Sequence, residues 1–277
     1  MSRKYLYFFI FFGLYTLVYG QFEVEYSKIE GSLNAKDNYR QNFGRYDGYE
    51  LELYQGEAIN VIVYSDVFSP KIFFVNPKGS VFKEGFSGKT NVATITTSIP
   101  ESGEWILYVV GDSAATGKYS LQLSIASANS VSLPPDADFC TKLKFILAHA
   151  NAYFFLLEAP VNSKSEFIKL DGSSDTFIDE NDGSYVSKFY EGNSIKDAEK
   201  IFKDIIAKVR NCLDGNWKLQ SKDWQSVDDY KIKGIMLSES ENNIERYIQI
   251  SLIDLKKSKQ KFMGDYIVQM EINRKPD

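Results

Sequence analysis

In this chain of 277 residues, the spacing of apolar residues first changes from strand-like to helical at a proline pair, Pro134–Pro135. Before the pair, apolar and polar residues alternate in short runs, whereas a stretch with helical spacing follows it. A period of two is typical of strands and a period near 3.6 of helices. The segment that leads to the prolines, "ASANSVSLPP", is small and polar, as in an extended linker. We therefore predict two domains, 21–128 and 138–277, joined by a linker over 129–137.

The first 20 residues have the layout of a secretory signal peptide. Arg3 and Lys4 precede an uncharged apolar run from Tyr5 to Val18, and the small residue Gly20 follows. An uncleaved membrane anchor is the alternative, but this run is shorter than the roughly 20 residues that span a bilayer. We predict cleavage near Gly20, no membrane span in the mature chain, and a secreted or periplasmic location. The sequence contains no N-glycosylation acceptor, which favours a bacterial source.

The alternating runs of the first domain predict strands with one buried face. In "YELEL", Tyr49, Leu51 and Leu53 point to one side of the strand, and Glu50 and Glu52 point to the other. The tetrapeptides "NPKG" and "PESG" supply the proline and glycine that tight turns need. Several such strands without a helical segment between them predict an antiparallel β-sandwich.

This succession of runs resembles the bacterial pre-peptidase C-terminal (PPC) domain. The residues that carry the resemblance are Asp47, Tyr49, Gly56, Pro77, Gly79, Gly103, Trp105, Gly117 and Tyr119. It implies a jelly-roll-like sandwich that acts as a non-catalytic accessory module and binds substrate or matrix beside exported enzymes. Some members bind calcium, for which Glu50, Glu52 and Glu57 are the nearest candidates here. The alternation of Glu50 and Glu52 favours a solvated strand face over a metal site.

The second domain has the predicted order αββαβββ, an antiparallel sheet with two helices on one face. Its first helix starts after a possible cap at Asp136, and its apolar residues recur from Phe139 to Leu157. Two strands, "EFIKL" and "SYVSKFY", flank an acidic turn. The second helix begins at a capping box formed by Ser194 and Asp197 and is ended by Gly215. Three strand-like runs follow it, so we expect an α+β domain.

The two cysteines, Cys140 and Cys212, and the one histidine, His149, do not fit a thiol enzyme. Nine helical residues place Cys140 and His149 on opposite faces and roughly 13 Å apart, whereas a thiol and its base must be within about 3 Å. In an exported protein two cysteines most simply form a disulfide. Antiparallel helices bring Cys140 and Cys212 to the same end, and we predict the bond for that case. Parallel helices, which the sequence leaves open, separate the sulfurs by roughly 20 Å.

Acidic residues in the second domain raise the question of a metal site. Asp175, Asp179, Glu180 and Asp182 lie in one acidic segment, but their spacing differs from that of the twelve-residue calcium loop. A solvated hairpin tip is the favoured interpretation. The sequence lacks a phosphate-binding glycine loop, a serine nucleophile elbow and a zinc signature, so we assign no catalytic residue, no metal and no cofactor.

The net charge of −5 is spread over both halves, and neither half is basic. This argues against nucleic acid as a partner. We expect an exported, non-catalytic accessory protein whose sandwich binds a protein or an extracellular polymer and whose α+β domain contacts a partner. One alternative is a chaperone or inhibitor of a co-exported hydrolase, which predicts a large apolar patch on the second sheet. Another is a carboxylate-dependent hydrolase, which predicts a cleft with a carboxyl group of raised pKa. The oligomeric state is not predicted.

Overall fold

The structure is a computed structural model. It describes residues 22–40, 43–88, 90–112, 115–158, 168–179, 182–213, 215, 217–241, 244–259 and 264–275. The chain divides into two compact units, and the division falls between Val131 and Ser132. The predicted signal peptide lies outside the described residues. Within the described ranges, no helix combines the length and the apolar character needed to cross a membrane.

In the described residues of the first unit, nine antiparallel strands are present. They are β1 (Val24–Leu33), β2 (Tyr39–Arg40), β3 (Gly44–Leu53), β4 (Ala58–Tyr64), β5 (Lys71–Val75), β6 (Val81–Phe86), β7 (Val92–Ser98), β8 (Gly103–Val110) and β9 (Gly117–Ala126). They make a four-stranded sheet in the order β1-β9-β4-β7 and a five-stranded sheet in the order β2-β3-β8-β5-β6. The chain is thus mostly β, as the alternating pattern predicts.

The core of the first unit lies between these two sheets and is filled by alternate strand residues. Leu51 and Leu53 of β3 are buried, and Glu52 between them is exposed. Trp105 of β8 is fully buried and stacks on Phe74 of β5 with a centroid distance of 4.7 Å. One apolar cluster therefore joins both sheets.

The beginning of the predicted linker takes part in the packing of the first unit. Residues 128–130 form a short 3-10 helix, and Ser130 within it is fully buried. Its hydroxyl accepts a hydrogen bond of 2.7 Å from the backbone N–H of Glu23. This contact ties the segment after β9 to the chain just before β1.

The described part of the second unit combines three helices with a six-stranded antiparallel sheet. Its elements are α1 (Phe139–Ala150), α2 (Phe155–Glu158), β10 (Asp175–Ile178), β11 (Tyr185–Gly192), α3 (Ile195–Cys212), β12 (Lys218–Val227), β13 (Tyr230–Glu241), β14 (Ile244–Asp254) and β15 (Tyr266–Arg274). The sheet has the order β10-β11-β15-β14-β13-β12. Apolar residues of α1 and α3 share one core with alternate residues of the central strands, among them Ile250 and Met270.

The order αββαβββ needs two corrections. A fourth strand, β12, follows α3; the sequence pattern did not reveal it because all ten of its residues are exposed and no apolar alternation is required. The first helix ends at Ala150 instead of continuing to Leu157. Tyr153 and Phe154 have φ angles of 49° and 59°, left-handed conformations that interrupt a right-handed helix before the short α2.

The cap of the first helix and the position of the first strand of this domain also differ from the prediction. The first helix is capped by Asp138, not Asp136, because the Asp138 carboxylate accepts a hydrogen bond of 2.8 Å from the backbone N–H of Thr141. In "EFIKL", residues 168–170 are not a strand, since the buried Leu170 leads directly into a turn; 166 and 167 lie outside the described ranges. The strand beside β11 is instead β10, within the acidic segment.

Helix α3 begins as its sequence predicts. The Ser194 hydroxyl accepts a hydrogen bond from the backbone N–H of Asp197 and so caps the first turn. The helix ends at Cys212, three residues before Gly215, whose φ of +85° fits the loop that follows. The position of Cys212 at this end is what matters for the disulfide described below.

Candidate binding surface

The outer face of the five-stranded sheet carries a group of aromatic side chains. Because strand residues alternate between the two faces, every second residue of β3, β5, β6 and β8 points away from the core. Register places Gly48, Tyr108, Phe73 and Glu84 in one cross-strand row on this side. We call the five rings on this side the aromatic patch: Phe43, Tyr46, Phe73, Phe86 and Tyr108.

The rings of the aromatic patch form one connected set. The Phe43 ring lies at its centre, 4.6 Å from Phe73, 5.5 Å from Tyr46 and 5.9 Å from Tyr108 between centroids. Tyr46 and Tyr108 are 5.3 Å apart, and Phe86 extends the set from Phe73 at 6.2 Å. Most of these pairs have the edge-to-face geometry that aromatic rings favour. The patch is therefore an ordered surface.

The aromatic patch is accessible from solvent. Phe86 is 57% exposed, and the other four rings are partly buried. Gly48 lies beneath Tyr108: a Cβ atom on residue 48 would be 3.1 Å from the Tyr108 ring. The absence of a side chain at Gly48 thus lets Tyr108 lie close to the sheet, which leaves a shallow apolar area.

Acidic side chains occupy the other end of the same face. Glu52 of β3 lies directly opposite Glu104 of β8, and both are exposed. Glu50 is on the same side, two residues from Glu52 towards the aromatic patch. We call Glu50, Glu52 and Glu104 the acidic end. The outer face therefore combines an apolar half with an anionic half.

The residues that carry the PPC resemblance are core residues and turn residues: Asp47, Tyr49, Trp105 and Tyr119 are buried, whereas Gly56, Pro77 and Gly79 are exposed in turns. The buried Tyr119 hydroxyl donates a hydrogen bond of 2.6 Å to the carboxylate of Asp47 and also contacts the hydroxyl of Tyr49. Burial, the largest cause, together with the neighbouring Tyr49 and Asp47, raises the pKa of Tyr119. A Cβ atom at Gly103 would collide with Pro77 at 2.9 Å. These positions stabilise the sandwich and its turns, and they do not form the outer surface.

The structure separates the three glutamates considered for calcium. Glu50 and Glu52 belong to the outer face, whereas the Glu57 carboxylate accepts a hydrogen bond of 2.8 Å from the backbone N–H of Tyr54 in the β3–β4 turn. Burial and the nearby Glu25 raise the pKa of Glu57, and the Tyr54 bond opposes this shift. Across the described ranges, no group of three or more His, Cys, Asp or Glu side chains could hold a metal ion.

Cys140 and Cys212 form a disulfide with a Cα–Cα distance of 5.0 Å. The bond joins the beginning of α1 to the end of α3, which is the antiparallel arrangement that the sequence argument requires. His149 is buried with 2% exposure, and its ring lies 4.5 Å from that of Phe145. Cys140 is therefore committed to the disulfide, and His149 belongs to the interior of the domain.

The acidic segment of the second domain forms a hairpin tip. The Asp182 carboxylate accepts a hydrogen bond of 2.9 Å from the backbone N–H of Ser184, and the Asp175 carboxylate accepts one from Thr176. The backbone N–H of Asp179 closes the hairpin on the carbonyl of Ser184. Glu180 lies outside the described residues. The described carboxylates thus shape the turn between β10 and β11.

One carboxyl group near this hairpin has a perturbed pKa. Glu271 of β15 accepts hydrogen bonds of 3.2 Å from the hydroxyls of Ser184 and Tyr247, on the sheet face opposite the helices. Burial, followed by the negative charge of Asp182, raises the pKa of Glu271, although the two hydroxyl donors oppose the shift. Burial and Glu271 in turn raise the pKa of Tyr247 to about 12. Sequence inspection did not single out Glu271, because its environment comes from two strands, β14 and β15, and from the turn between β10 and β11.

The sheet face opposite the helices mixes apolar and polar residues. One cross-strand row contains Ile232, Ile253 and Ile267, all partly buried. Another row combines the polar Gln249 and Glu271 with the apolar side chains of Met236, Val186 and Phe177.

Comparisons with known proteins find similarity in structure only. No family model matches the sequence, and no curated protein matches it. The periplasmic g-type lysozyme inhibitor PliG of Aeromonas hydrophila shares 14% identity, with a TM-score of 0.29, over 37% of this chain and 87% of that protein. PliG of Salmonella Typhimurium shares 16%, with a TM-score of 0.26, over 36% and 87%.

A PPC domain is also among the structural matches. The pre-peptidase C-terminal domain of the Bacillus anthracis collagenase shares 17% identity, with a TM-score of 0.30, over 36% of this chain and 89% of that domain. This likeness stands beside the resemblance to PPC domains stated above from sequence. It concerns about a third of the chain.

Proposed function

We propose that this chain is an exported, non-catalytic binding protein whose first domain contacts a protein or an extracellular polymer through the aromatic patch. The observation that supports this proposal most directly is the connected set of five rings on a solvent-facing sheet surface. An accessible apolar patch is commonly an interaction site, and buried aromatic anchors supply much of the binding energy at protein interfaces. The jelly-roll-like arrangement and the domain bounds 21–128 and 138–277 are part of this proposal.

The position of the rings favours binding over a purely structural role. The core of the sandwich has its own aromatic residues, Phe74 and Trp105, which are fully buried. Phe86 adds little to that core, since more than half of its surface remains in water. Covering Phe86 with a partner removes apolar surface from water, which is favourable at about 25 cal/mol per Å². This free energy therefore favours association with a partner.

Export and the second domain complete the proposal. The disulfide between Cys140 and Cys212 is typical of proteins that fold in an oxidising compartment, and the N-terminal segment has the layout of a signal peptide. We place the protein in the periplasm or outside the cell, where the α+β domain contacts a second partner.

The proposal is tested with the exported full-length chain and the variant Phe86→Ala. Immobilised protein is incubated with the exported proteome and with cell-wall polymers of the source organism, and retained material is quantified. We expect Phe86→Ala to reduce retention about tenfold, because an interface anchor contributes on the order of 1–2 kcal/mol or more. Its folding is checked by circular dichroism.

Tyr64→Ala is the matched control. Tyr64 is 42% exposed and lies on the four-stranded sheet, away from the aromatic patch. We expect it to retain the same partner as the unmodified protein. Equal retention by all three proteins would show that the aromatic patch is not the binding surface.

A further inference from the structure

We infer that the partner of the outer face is a basic protein segment, in which an apolar side chain contacts the aromatic patch while lysine or arginine residues contact the acidic end. This inference rests on the proposed function and specifies the chemistry of its ligand. It follows from the distribution of charge on the face.

Glu52 and Glu104 are two negative charges placed where like charges repel each other. They are directly opposite each other on adjacent antiparallel strands, where side chains are about 5 Å apart at Cβ. Like charges in this arrangement destabilise a sheet. In the described part of the chain neither glutamate has an ion-pair partner. A cationic ligand is the chemistry that converts this repulsion into attraction.

The described outer face as a whole carries more acidic than basic residues. Glu50 lies beside the pair, and Glu84 of β6 lies opposite Phe73. The basic residues are Lys71 at an outer position of β5 and the exposed Arg40 of β2, which is paired with Gly44 at the aromatic end of β3. Four glutamates against two basic residues make the face negative overall, and most strongly so at the acidic end, which attracts cations and repels anionic polymers.

The two halves of the face have a spacing that an extended peptide can bridge. Tyr108 in the aromatic patch and Glu104 at the acidic end are four residues apart on β8, which is about 13 Å at 3.3 Å per residue. An extended segment with an aromatic residue four positions from a pair of lysines matches this distance. A neutral polysaccharide would engage the rings but leave the acidic end without a counterpart.

The test uses four synthetic peptides that differ at two places. Each peptide has tryptophan or alanine at one position, and a pair of lysines or a pair of glutamates four positions later. Binding to the isotopically labelled full-length protein is followed by nuclear magnetic resonance at about 50 mM salt. We expect the tryptophan–lysine peptide to bind most tightly and to perturb both Tyr108 and Glu104, and binding to weaken at 0.5 M salt, where screening is strong.

Two double variants of the protein distinguish a specific contribution of the acidic pair to peptide binding from a general effect of net charge. Glu52→Gln/Glu104→Gln removes the acidic pair and should weaken the tryptophan–lysine peptide about fivefold at low salt, a loss of about 1 kcal/mol for exposed ionic contacts. Glu23→Gln/Glu30→Gln changes the net charge by the same amount at exposed positions of the four-stranded sheet side. This control should bind as the unmodified protein does.

The outcomes separate this inference from the proposed function. If the tryptophan–glutamate peptide binds as well as the tryptophan–lysine peptide, the basic partner is wrong while the aromatic patch remains a binding surface. If neither tryptophan peptide perturbs the outer face, the inference is likewise overturned, and retention of native partners by Phe86→Ala still decides the proposed function. Equal weakening in both double variants would reduce the effect to net charge and would also contradict the inference.

Discussion

The two domains differ in what their solvent-facing sheet surfaces present. The five-stranded sheet of the first domain exposes the aromatic patch and the acidic end, and its rings contact each other instead of being shielded by polar neighbours. The six-stranded sheet of the second domain presents Gln249, Gln269 and the hydrogen-bonded Glu271 on the face opposite its helices. The same strand periodicity thus produces one surface with a connected set of rings and one in which isoleucines lie beside polar groups such as the hydrogen-bonded Glu271.

The interiors differ as well. The first domain buries a chain of hydrogen-bonded side chains, Asp47, Tyr119 and Tyr49, between its sheets. The second domain relies on an apolar core and the Cys140–Cys212 disulfide, which joins its two longer helices. The comparison can therefore be tested by changes that affect one domain and leave the other unchanged.

The largest expected effect is the loss of the disulfide. Replacing both Cys140 and Cys212 with serine should lower the free energy of unfolding of the second domain by about 4 kcal/mol, because the bond closes a loop of 72 residues in the unfolded chain. Hydrogen exchange measured by mass spectrometry reports each domain separately. Peptides from α1 and α3 should lose protection, and peptides from β8 and β9 should keep it.

Reduction of the unmodified protein is the control for this change. It should reproduce the loss of hydrogen-exchange protection in α1 and α3 without any amino-acid substitution. Equal loss of protection in β8 and β9 would show that the two domains do not differ in their dependence on the disulfide.

The next largest effect concerns the polar interior of the first domain. Tyr119→Phe removes the hydroxyl that donates to Asp47 and leaves the buried carboxylate with one donor fewer. We expect a loss of about 2–3 kcal/mol in the free energy of unfolding, since a charged acceptor then loses a buried hydrogen bond. Denaturant unfolding followed by the fluorescence of the buried Trp105 measures it.

Tyr49→Phe is the matched control for the same network. It removes a contact with Tyr119 but preserves the hydrogen bond from Tyr119 to Asp47. We expect a smaller loss, about 1 kcal/mol. If Tyr49→Phe cost as much as Tyr119→Phe, the bond to Asp47 would not be the main contribution of Tyr119.

A smaller and pH-dependent effect is expected at Glu271 in the second domain. Because the folded-state pKa of Glu271 is raised above 4.5, protonation of its carboxyl group stabilises the fold. This stabilisation is complete below pH 4.5 and is lost as the pH rises through the folded-state pKa. Glu271→Gln should therefore be more stable than the unmodified protein at pH 7–8, by about 0.5–1 kcal/mol.

The difference between Glu271→Gln and the unmodified protein should disappear near pH 4, as measured by thermal unfolding across pH. Glu245→Gln removes an exposed carboxylate from the same sheet and serves as the control. A gain in stability that is equal at pH 4 and pH 8 would mean that burial of the charge is not its cause.

Local pattern was sufficient to predict much of the fold. Alternation predicted β3 and its buried face, and the Ser194 cap predicted the start of α3. The disulfide was predicted for antiparallel helices, and the structure has the bond between the beginning of α1 and the end of α3. Each of these inferences depends on residues that are close in sequence or on a simple geometric relation.

The features that escaped prediction depend on contacts between distant segments. β12 has no apolar alternation because it is an exposed edge strand, so periodicity carries no signal for it. In "KIFFV", Phe73 and Phe74 are adjacent, and sequence alone does not say which one faces the core. The aromatic patch becomes visible only when register places Phe73 beside Tyr108 and Phe43 beside both.

The smallest expected effect distinguishes function from stability on the first domain's outer face. Glu52→Gln/Glu104→Gln removes two opposed charges, and we expect the free energy of unfolding to rise by a few tenths of a kcal/mol, about 0.2–0.5. The gain should shrink at high salt, because screening already weakens the repulsion between exposed charges. Thermal unfolding at about 20 mM and 500 mM salt measures both quantities. A variant that is more stable than the unmodified protein yet binds a basic peptide less well would show that this domain keeps an unfavourable charge pair for contact with a partner, whereas a loss of stability would mean that the two glutamates support the sheet themselves.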